Sequence, residues 1–167
     1  MKQPTRLHNF IIRKANIEDV PLILSFITEL AEYEKLRHEV VATEALLQKN
    51  LFDNNPKAEV IIGELDGNPV CFALFFHNFS TFLGKPGIYL EDLYVRPAVR
   101  SQGIGRIMLA YLAKLAIERN CGRLEWWVLD WNKRAIQFYE SIGATPMNEW
   151  TVFRVTGKNL EELKDEF

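Results

Sequence analysis

Arg100-Ser101-Gln102-Gly103-Ile104-Gly105 stands between a strand-like run, Ile88 to Val95, and a helix-like run, Arg106 to Asn120. A strand feeding a glycine-containing turn and then a helix N-terminus is an anion cradle. The first N–H groups of a helix lack an internal partner, and the helix dipole favours negative charge there. Glycine lets a phosphate approach the main chain because no Cβ intervenes. The stretch predicts a phosphate-bearing ligand, against the plainer reading of an ordinary βα turn. Two nucleotide fingerprints fit poorly. A P-loop needs Gly-x-x-x-x-Gly-Lys-Ser/Thr, and no such lysine follows these glycines. A dinucleotide turn needs a third glycine three residues after the second, where this chain has Met108.

Outward from that turn, the elements follow from period and punctuation. Phe10 to Arg13 reads as a first strand. Asp19 and Pro21 signal a helix start, and Ile23, Phe26, Ile27, Leu30 and Ala31 give it a helical apolar stripe with Glu29, Glu32 and Glu34 opposite. Thr43 to Leu51 is a second helix. Glu59 to Leu65, Asp66-Gly67-Asn68 and Val70 to His77 read as a β-hairpin. Phe79 to Gly87 is expected as a loop, and Ile88 to Val95 as a strand ended by Pro97. Ile104, Ile107, Met108, Tyr111, Leu112, Leu115 and Ala116 share one helix face. Arg123 to Asp130 is expected as a strand, then a helix capped by Asn132 and stopped at Gly143. Trp150 to Val155 is expected as a last strand, and Leu160 to Lys164 as a frayed tail. The order βααβββαβαβ predicts an α+β fold: a mixed central sheet with flanking helices, antiparallel on its N-terminal side, with a parallel pair around the phosphate turn.

At 167 residues the chain, 1–167, is expected to form a single domain. Net charge is −2 and the basic residues are scattered, so a nucleic-acid groove is not expected. No apolar run is long enough for a membrane span, and Met1 to Asn9 lacks a signal-peptide core, so a cytoplasmic protein is expected. Cys71 and Cys121 read as small buried apolar residues, and His8, His38 and His77 show no metal spacing; no metal is expected.

Arg100, Gly103 and Gly105 after Leu90-Glu91-Asp92-Leu93-Tyr94-Val95 match the Arg/Gln-x-x-Gly-x-Gly/Ala signature, and the chain resembles the GNAT superfamily of N-acetyltransferases. Tyr89 to Val95, Trp131-Asn132 with Phe138-Tyr139, and Glu29 to Glu34 are similar to its diamine and polyamine branch. The resemblance covers about Phe10 to Trp150. It implies a GNAT-like fold with acetyl-CoA as donor: the pyrophosphate on the backbone of Ser101, Gln102, Gly103, Ile104, Gly105 and Arg106, and the pantetheine arm along Leu93, Tyr94 and Val95, with Arg100 and Asn132 also on the donor. A homodimer is implied by analogy alone.

Acetyl transfer to an amine moves two protons. An alkyl ammonium, with a reference pKa of about 10, must be deprotonated, and the departing thiolate must be protonated or stabilised. The resemblance makes Tyr139 the general acid; by pattern alone it is a core tyrosine beside Ala135, Phe138 and Ile142. Glu91 suits the base, directly or through a water. Strand alternation puts Tyr89, Glu91, Leu93 and Val95 on one face and Leu90, Asp92 and Tyr94 on the other. Buried carboxylates need a cation, which a bound amine supplies; a salt bridge to Arg13 or Lys14 is the structural alternative. Tyr33 and Glu34 match residues lining the branch's acceptor site, with a solvated helix end as the alternative. Ser80-Thr81-Phe82 lacks the acid that the polyamine enzymes carry there, which points toward thialysine-like acceptors. Neither cysteine matches a nucleophile, so direct attack is expected. The expected activity is N-acetylation of a small cationic amine. Rival readings are a protein amine or aminoglycoside acceptor, and a non-catalytic CoA-binding module.

Overall fold

Asp19 shows how this chain begins to fold. In the computed structural model, which describes residues 2–167, Asp19 does not cap the helix it precedes. It closes a capping box with Asn16, taking that residue's N–H at 2.8 Å. Its two carboxylate oxygens accept from the two terminal nitrogens of Arg13 at 2.7 and 2.8 Å. Arg13 also donates through Nε to Glu64. One guanidinium thereby joins strands β2 (Phe10–Lys14) and β3 (Glu59–Leu65) to the start of helix α1 (Val20–Tyr33). Asp19 and Glu64 are both buried, so the arginine compensates two desolvated carboxylates.

The sheet has six strands in sequence order: β1 (Lys2–Pro4), β2, β3, β4 (Asn68–Ser80), β5 (Lys85–Val95) and β6 (Leu124–Trp126). All pairs are antiparallel except β5–β6, which is the expected parallel pair. Helix α1 and helix α2 (Glu44–Phe52) lie on one face. Ile23 and Phe26 pack there with Val60, Ile62, Phe72 and Tyr94; Phe26 and Phe72 stack with centroids 5.2 Å apart. Helix α3 (Ile104–Glu118) buries Ile104, Ile107, Met108, Leu109, Leu112 and Ala116. Elements up to Trp127 form one compact unit; Val128–Phe167 form a second, holding α4 (Lys133–Ser141) and α5 (Gly157–Lys164).

The α+β class and the mixed sheet match the sequence reading, and several boundaries do not. Lys2–Pro4 pairs with β2 where no strand was expected. The loop expected over Phe79 to Gly87 shrinks to Thr81–Gly84, because β4 and β5 stay paired out to Ser80 and Lys85. The strand expected from Arg123 to Asp130 covers only Leu124–Trp126. Trp150 to Val155 forms no strand: among the described residues nothing pairs with it, and Trp150 and Phe153 are 69% and 90% exposed. A strand exists only with a partner, so alternation alone cannot establish one. The tail expected to fray is the helix α5. Among the described residues no helix is long and apolar enough to cross a membrane.

Gly63 marks the tightest packing in the sheet. A Cβ there would lie 2.4 Å from Cys71 Sγ and 2.5 Å from Phe10 Cζ, and both neighbours are fully buried. Gly63→Ala should lower stability by about 1–3 kcal/mol through overpacking, read as a lower urea midpoint at unchanged m. An unmoved midpoint would mean that β2 and β4 can part without cost.

Candidate functional site

The site is built at the C-terminal end of β5, and a β-bulge arranges it. Leu74 pairs with Asp92 but Phe75 pairs with Leu90, so Glu91 is the extra residue. Residues paired across a ladder share a face. Tyr89, opposite Phe76, therefore joins Asp92 and Tyr94 on the α1 face; Leu90 joins Leu93 and Val95 on the α3 face. Strict alternation put Asp92 with Leu90 and Glu91 with Tyr89, and the bulge overturns that. Glu91 is exposed rather than buried, and Asp92 is half-buried. The parallel pairing with β6 stops at Leu90–Trp126, so within this unit Glu91 to Val95 have no ladder partner on that side. A strand edge with open donors and acceptors suits an arm that carries amides.

Beyond β5 the chain reaches the glycine turn. Gly103 is the N-cap of α3 with φ +82°, and no side chain caps the helix. A Cβ on Gly103 or Gly105 would meet no protein atom within 4 Å, so these glycines do not serve internal packing. They leave the first turn of α3 open to an anion. Ser101, Gln102 and Arg106 are exposed around it, and Ile104 is buried beneath. This turn has what a CoA pyrophosphate requires: uncapped N–H groups at a helix N-terminus and an unobstructed main chain.

Arg100 is held at the end of β5. Its Nε donates to the Val95 carbonyl at 2.8 Å. Its guanidinium carbon lies 4.6 Å from the Tyr33 ring centroid and 5.5 Å from that of Tyr94.

Electrostatics separates the carboxylates into two kinds. Hydrogen bonds from Arg13, Arg96 and Arg119 hold Asp19, Glu29 and Glu59 below the usual carboxylate range. Arg13 and Lys14 are thus taken, by Asp19 with Glu64 and by Glu59, and neither reaches Glu91. Glu34, Glu91 and Asp92 have no salt bridge among the described residues. Burial pushes the Glu34 carboxyl up. Burial, then the charges of Glu91 and Glu34, pushes Asp92 up to about 6. The structure thereby brings Glu34, Glu91 and Asp92 into one electrostatic group, beside Tyr33 at the end of α1.

In the second unit, the Asn132 side chain accepts from the Ala135 N–H at 3.3 Å and caps α4, as its position predicted. Tyr139 is half-buried on that helix, its ring centroid 5.4 Å from that of Phe138. Cys71 and Cys121 are buried, and burial pushes the Cys71 thiol up to about 12, which does not suit Cys71 for nucleophilic attack. Among the described residues no His, Cys, Asp and Glu side chains are grouped to hold a metal ion. Sequence reading missed the bulge, although its signal was present: two adjacent carboxylates between Leu90 and Leu93 break a period of two.

The family described as "Acetyltransferase (GNAT) family" matches residues 24–144. The chain is 38% identical to the thialysine N-epsilon-acetyltransferase of Bos taurus, over 92% of this chain and 96% of that protein. It is 32% identical to the L-ornithine N5-acetyltransferase NATA1 of Arabidopsis thaliana, over 91% and 86%. An integron cassette protein from V. cholerae superposes with a TM-score of 0.79 at 26% identity, covering 95% of this chain and 99% of that one.

Asp92 offers a direct check on this electrostatic group. An acid whose folded pKa is raised weakens the fold where it is ionised, and the penalty fades as pH falls through the folded value. Asp92→Asn should therefore raise the melting temperature more at about pH 8 than at about pH 5, on either side of the folded value near 6. Equal effects at both would show that the carboxylate is not strained by its surroundings.

Proposed function

The chain belongs to the acetyltransferase (GNAT) family and is an acyltransferase, and we propose that it moves the acetyl group of acetyl-CoA to the primary amine of a small cationic amine of the thialysine, ornithine or diamine kind. One observation carries this reading: among the described residues Glu34, Glu91 and Asp92 form an anionic group with no salt bridge, while Asp19, Glu29, Glu59 and Glu64 each pair with an arginine. The partly buried carboxylates of Glu34 and Asp92 are costly to leave unpaired, and an ammonium ligand relieves the cost. The thialysine and ornithine activities of the relatives named above agree with that charge requirement.

In this reading the pyrophosphate lies on the main chain from Ser101 to Arg106, and the pantetheine arm runs along the open edge of Leu93 to Val95. Asn132 adds a donor-side contact through the end of its side chain that does not cap α4. The acceptor lies against Tyr33, Glu34 and Asp92. Asp92 takes the ammonium proton, because a base with a pKa near the working pH is the most effective, and the exposed Glu91 beside it passes the proton to water. The neutral amine then attacks the thioester carbonyl: a C–N bond forms, the C–S bond breaks, the departing sulfur takes a proton from Tyr139, and the proton lost by the new amide nitrogen returns through water to the Tyr139 phenolate. Analogy with relatives supports a homodimer.

An acceptor screen with thialysine, lysine, ornithine, diamines, spermidine and spermine, read by thiol release, tests the assignment. Short cationic amines should lead, since the Thr81–Gly84 turn carries no acidic residue to hold a distant ammonium. Ionisation of Asp92 gives kcat/KM an acid limb: activity present above about 6 and lost below it. Asp92→Asn should remove that limb, and Glu34→Gln should raise KM more than it lowers kcat, as loss of uniform binding does. A neutral or anionic amine at the head of the screen would overturn the cationic pocket and leave only the family activity.

Tyr139→Phe keeps the ring and removes the hydroxyl. Turnover should fall by roughly 10²–10⁴, the range for a general acid, with acetyl-CoA affinity by calorimetry unchanged. A variant as fast as wild type would return Tyr139 to a packing role.

A further inference from the structure

The signature arginine is engaged by groups other than the phosphate turn it introduces. The Arg100 guanidinium faces the end of α1 and the α1 face of β5: the Val95 carbonyl, the Tyr33 ring and the Tyr94 ring. Each ring adjoins the anionic group. Tyr33 directly precedes Glu34, and Tyr94 lies on the same face as Asp92, two residues on. Tyr94 is itself fixed: buried and packed on Phe26, whose ring also faces Arg96. Tyr33 is 39% exposed on the last turn of α1. That turn closes with Leu36 N–H on the Ala31 carbonyl at 2.8 Å, and Lys35 takes φ +62°. A non-glycine residue there is strained, so this helix end benefits from an external hold.

We propose that Arg100 is a positioning residue for the acceptor amine: by stacking between Tyr33 and Tyr94 while bound to the Val95 carbonyl, its side chain holds the C-terminal end of α1, and with it Glu34, against Asp92. The arginine thereby ties the acceptor site to the turn proposed for the donor, through side-chain geometry rather than ion pairing. Among the described residues it makes no salt bridge. A planar guanidinium can stack on a ring and donate in its own plane at once; an ammonium cannot do both. The inference rests on the reading that Glu34 and Asp92 receive the amine.

The test compares Arg100→Gln, Arg100→Lys, Tyr33→Leu and the Arg100→Gln/Tyr33→Leu double variant in the full chain. For each, KM and kcat for thialysine are measured, with the acetyl-CoA dissociation constant by calorimetry in the absence of amine. Both Arg100 variants should raise the amine KM by about three- to thirtyfold, the scale of a lost cation–π contact, with the acetyl-CoA constant near that of wild type. The double variant should be no worse than the poorer single, because both remove one contact. Three outcomes overturn the proposal: weakened acetyl-CoA binding with an unmoved amine KM, which makes the guanidinium a phosphate ligand; a lysine variant equal to wild type; or fully additive effects of Arg100 and Tyr33. Glu34→Gln and Asp92→Asn in the same assay separate the two readings. If they leave the amine KM unmoved while Arg100→Gln raises it, the acceptor assignment fails and the arginine's role must lie elsewhere.

Discussion

One extra residue in β5 governs most of what this molecule can do. At Glu91 the strand carries two residues against one on β4, and every side chain beyond that point changes face. Without the bulge, Asp92 and Tyr94 would lie under α3, in the half of the core that holds Leu90 and Ile88. A carboxylate there would be fully desolvated, and the α1 face would lose the ring that packs on Phe26. With it, the carboxylate reaches the partly open side near the end of α1, and Leu90, Leu93 and Val95 stay on the apolar side. The parallel ladder to β6 stops one residue before the bulge, at Leu90. A bulge bends and twists its strand, and a neighbour that follows β5 up to that point cannot follow it further. The same irregularity thus exposes a strand edge and turns an acid toward the α1 face.

Charge is used in two opposite ways on the two sides of that bulge. Where carboxylates serve the fold, each is matched. Arg13 binds Asp19 and Glu64, Arg96 binds Glu29, and Arg119 binds Glu59. Removing one member of such a pair strands a half-buried charge, so these contacts fix geometry even where their net contribution to stability is small. Glu34, Glu91 and Asp92 break the pattern. Their mutual repulsion is tolerated by keeping Glu91 exposed and raising Asp92 to about 6, where it can hold or release a proton near neutrality. A folding-only role would favour an arginine here as elsewhere.

How much of this was legible depends on whether a feature is local. The glycine turn, the α3 stripe, the Asp66-Gly67 hairpin and the Asn132 cap are determined within a few residues, and the structure has them where the pattern put them. Features that need a distant partner were read less well. Trp150 to Val155 alternates like a strand but pairs with nothing among the described residues, and β6 is only three residues long. The bulge was hidden because alternation assumes a constant period; Glu91-Asp92 between two leucines was the place to doubt that assumption. The grouping of Glu34 with Asp92 came through resemblance rather than pattern, since α1 and β5 are far apart in the chain. The motif gives Arg100 no side-chain partner; its contacts with the Val95 carbonyl and the Tyr33 ring come from the fold.

That placement of Arg100 completes a physical argument about why the phosphate turn and the acidic group share one strand end. A cradle of main-chain N–H groups needs no side chain to bind an anion, so the residue that opens it is free to act elsewhere. Arg100 lies five residues from Val95 and donates back to its carbonyl, which fixes the exit of β5. The same guanidinium, flat and never deprotonated, lies over the rings of Tyr33 and Tyr94 without neutralising the carboxylates nearby. A lysine would supply a compact charge able to swing toward Asp92, lower its pKa and compete with the incoming ammonium. Arginine held by two aromatic rings and a carbonyl gives rigidity without that competition. On the reading proposed above, the glycine turn, the exit of β5 and the end of α1 form one connected unit, in which the position of Glu34 depends on Arg100.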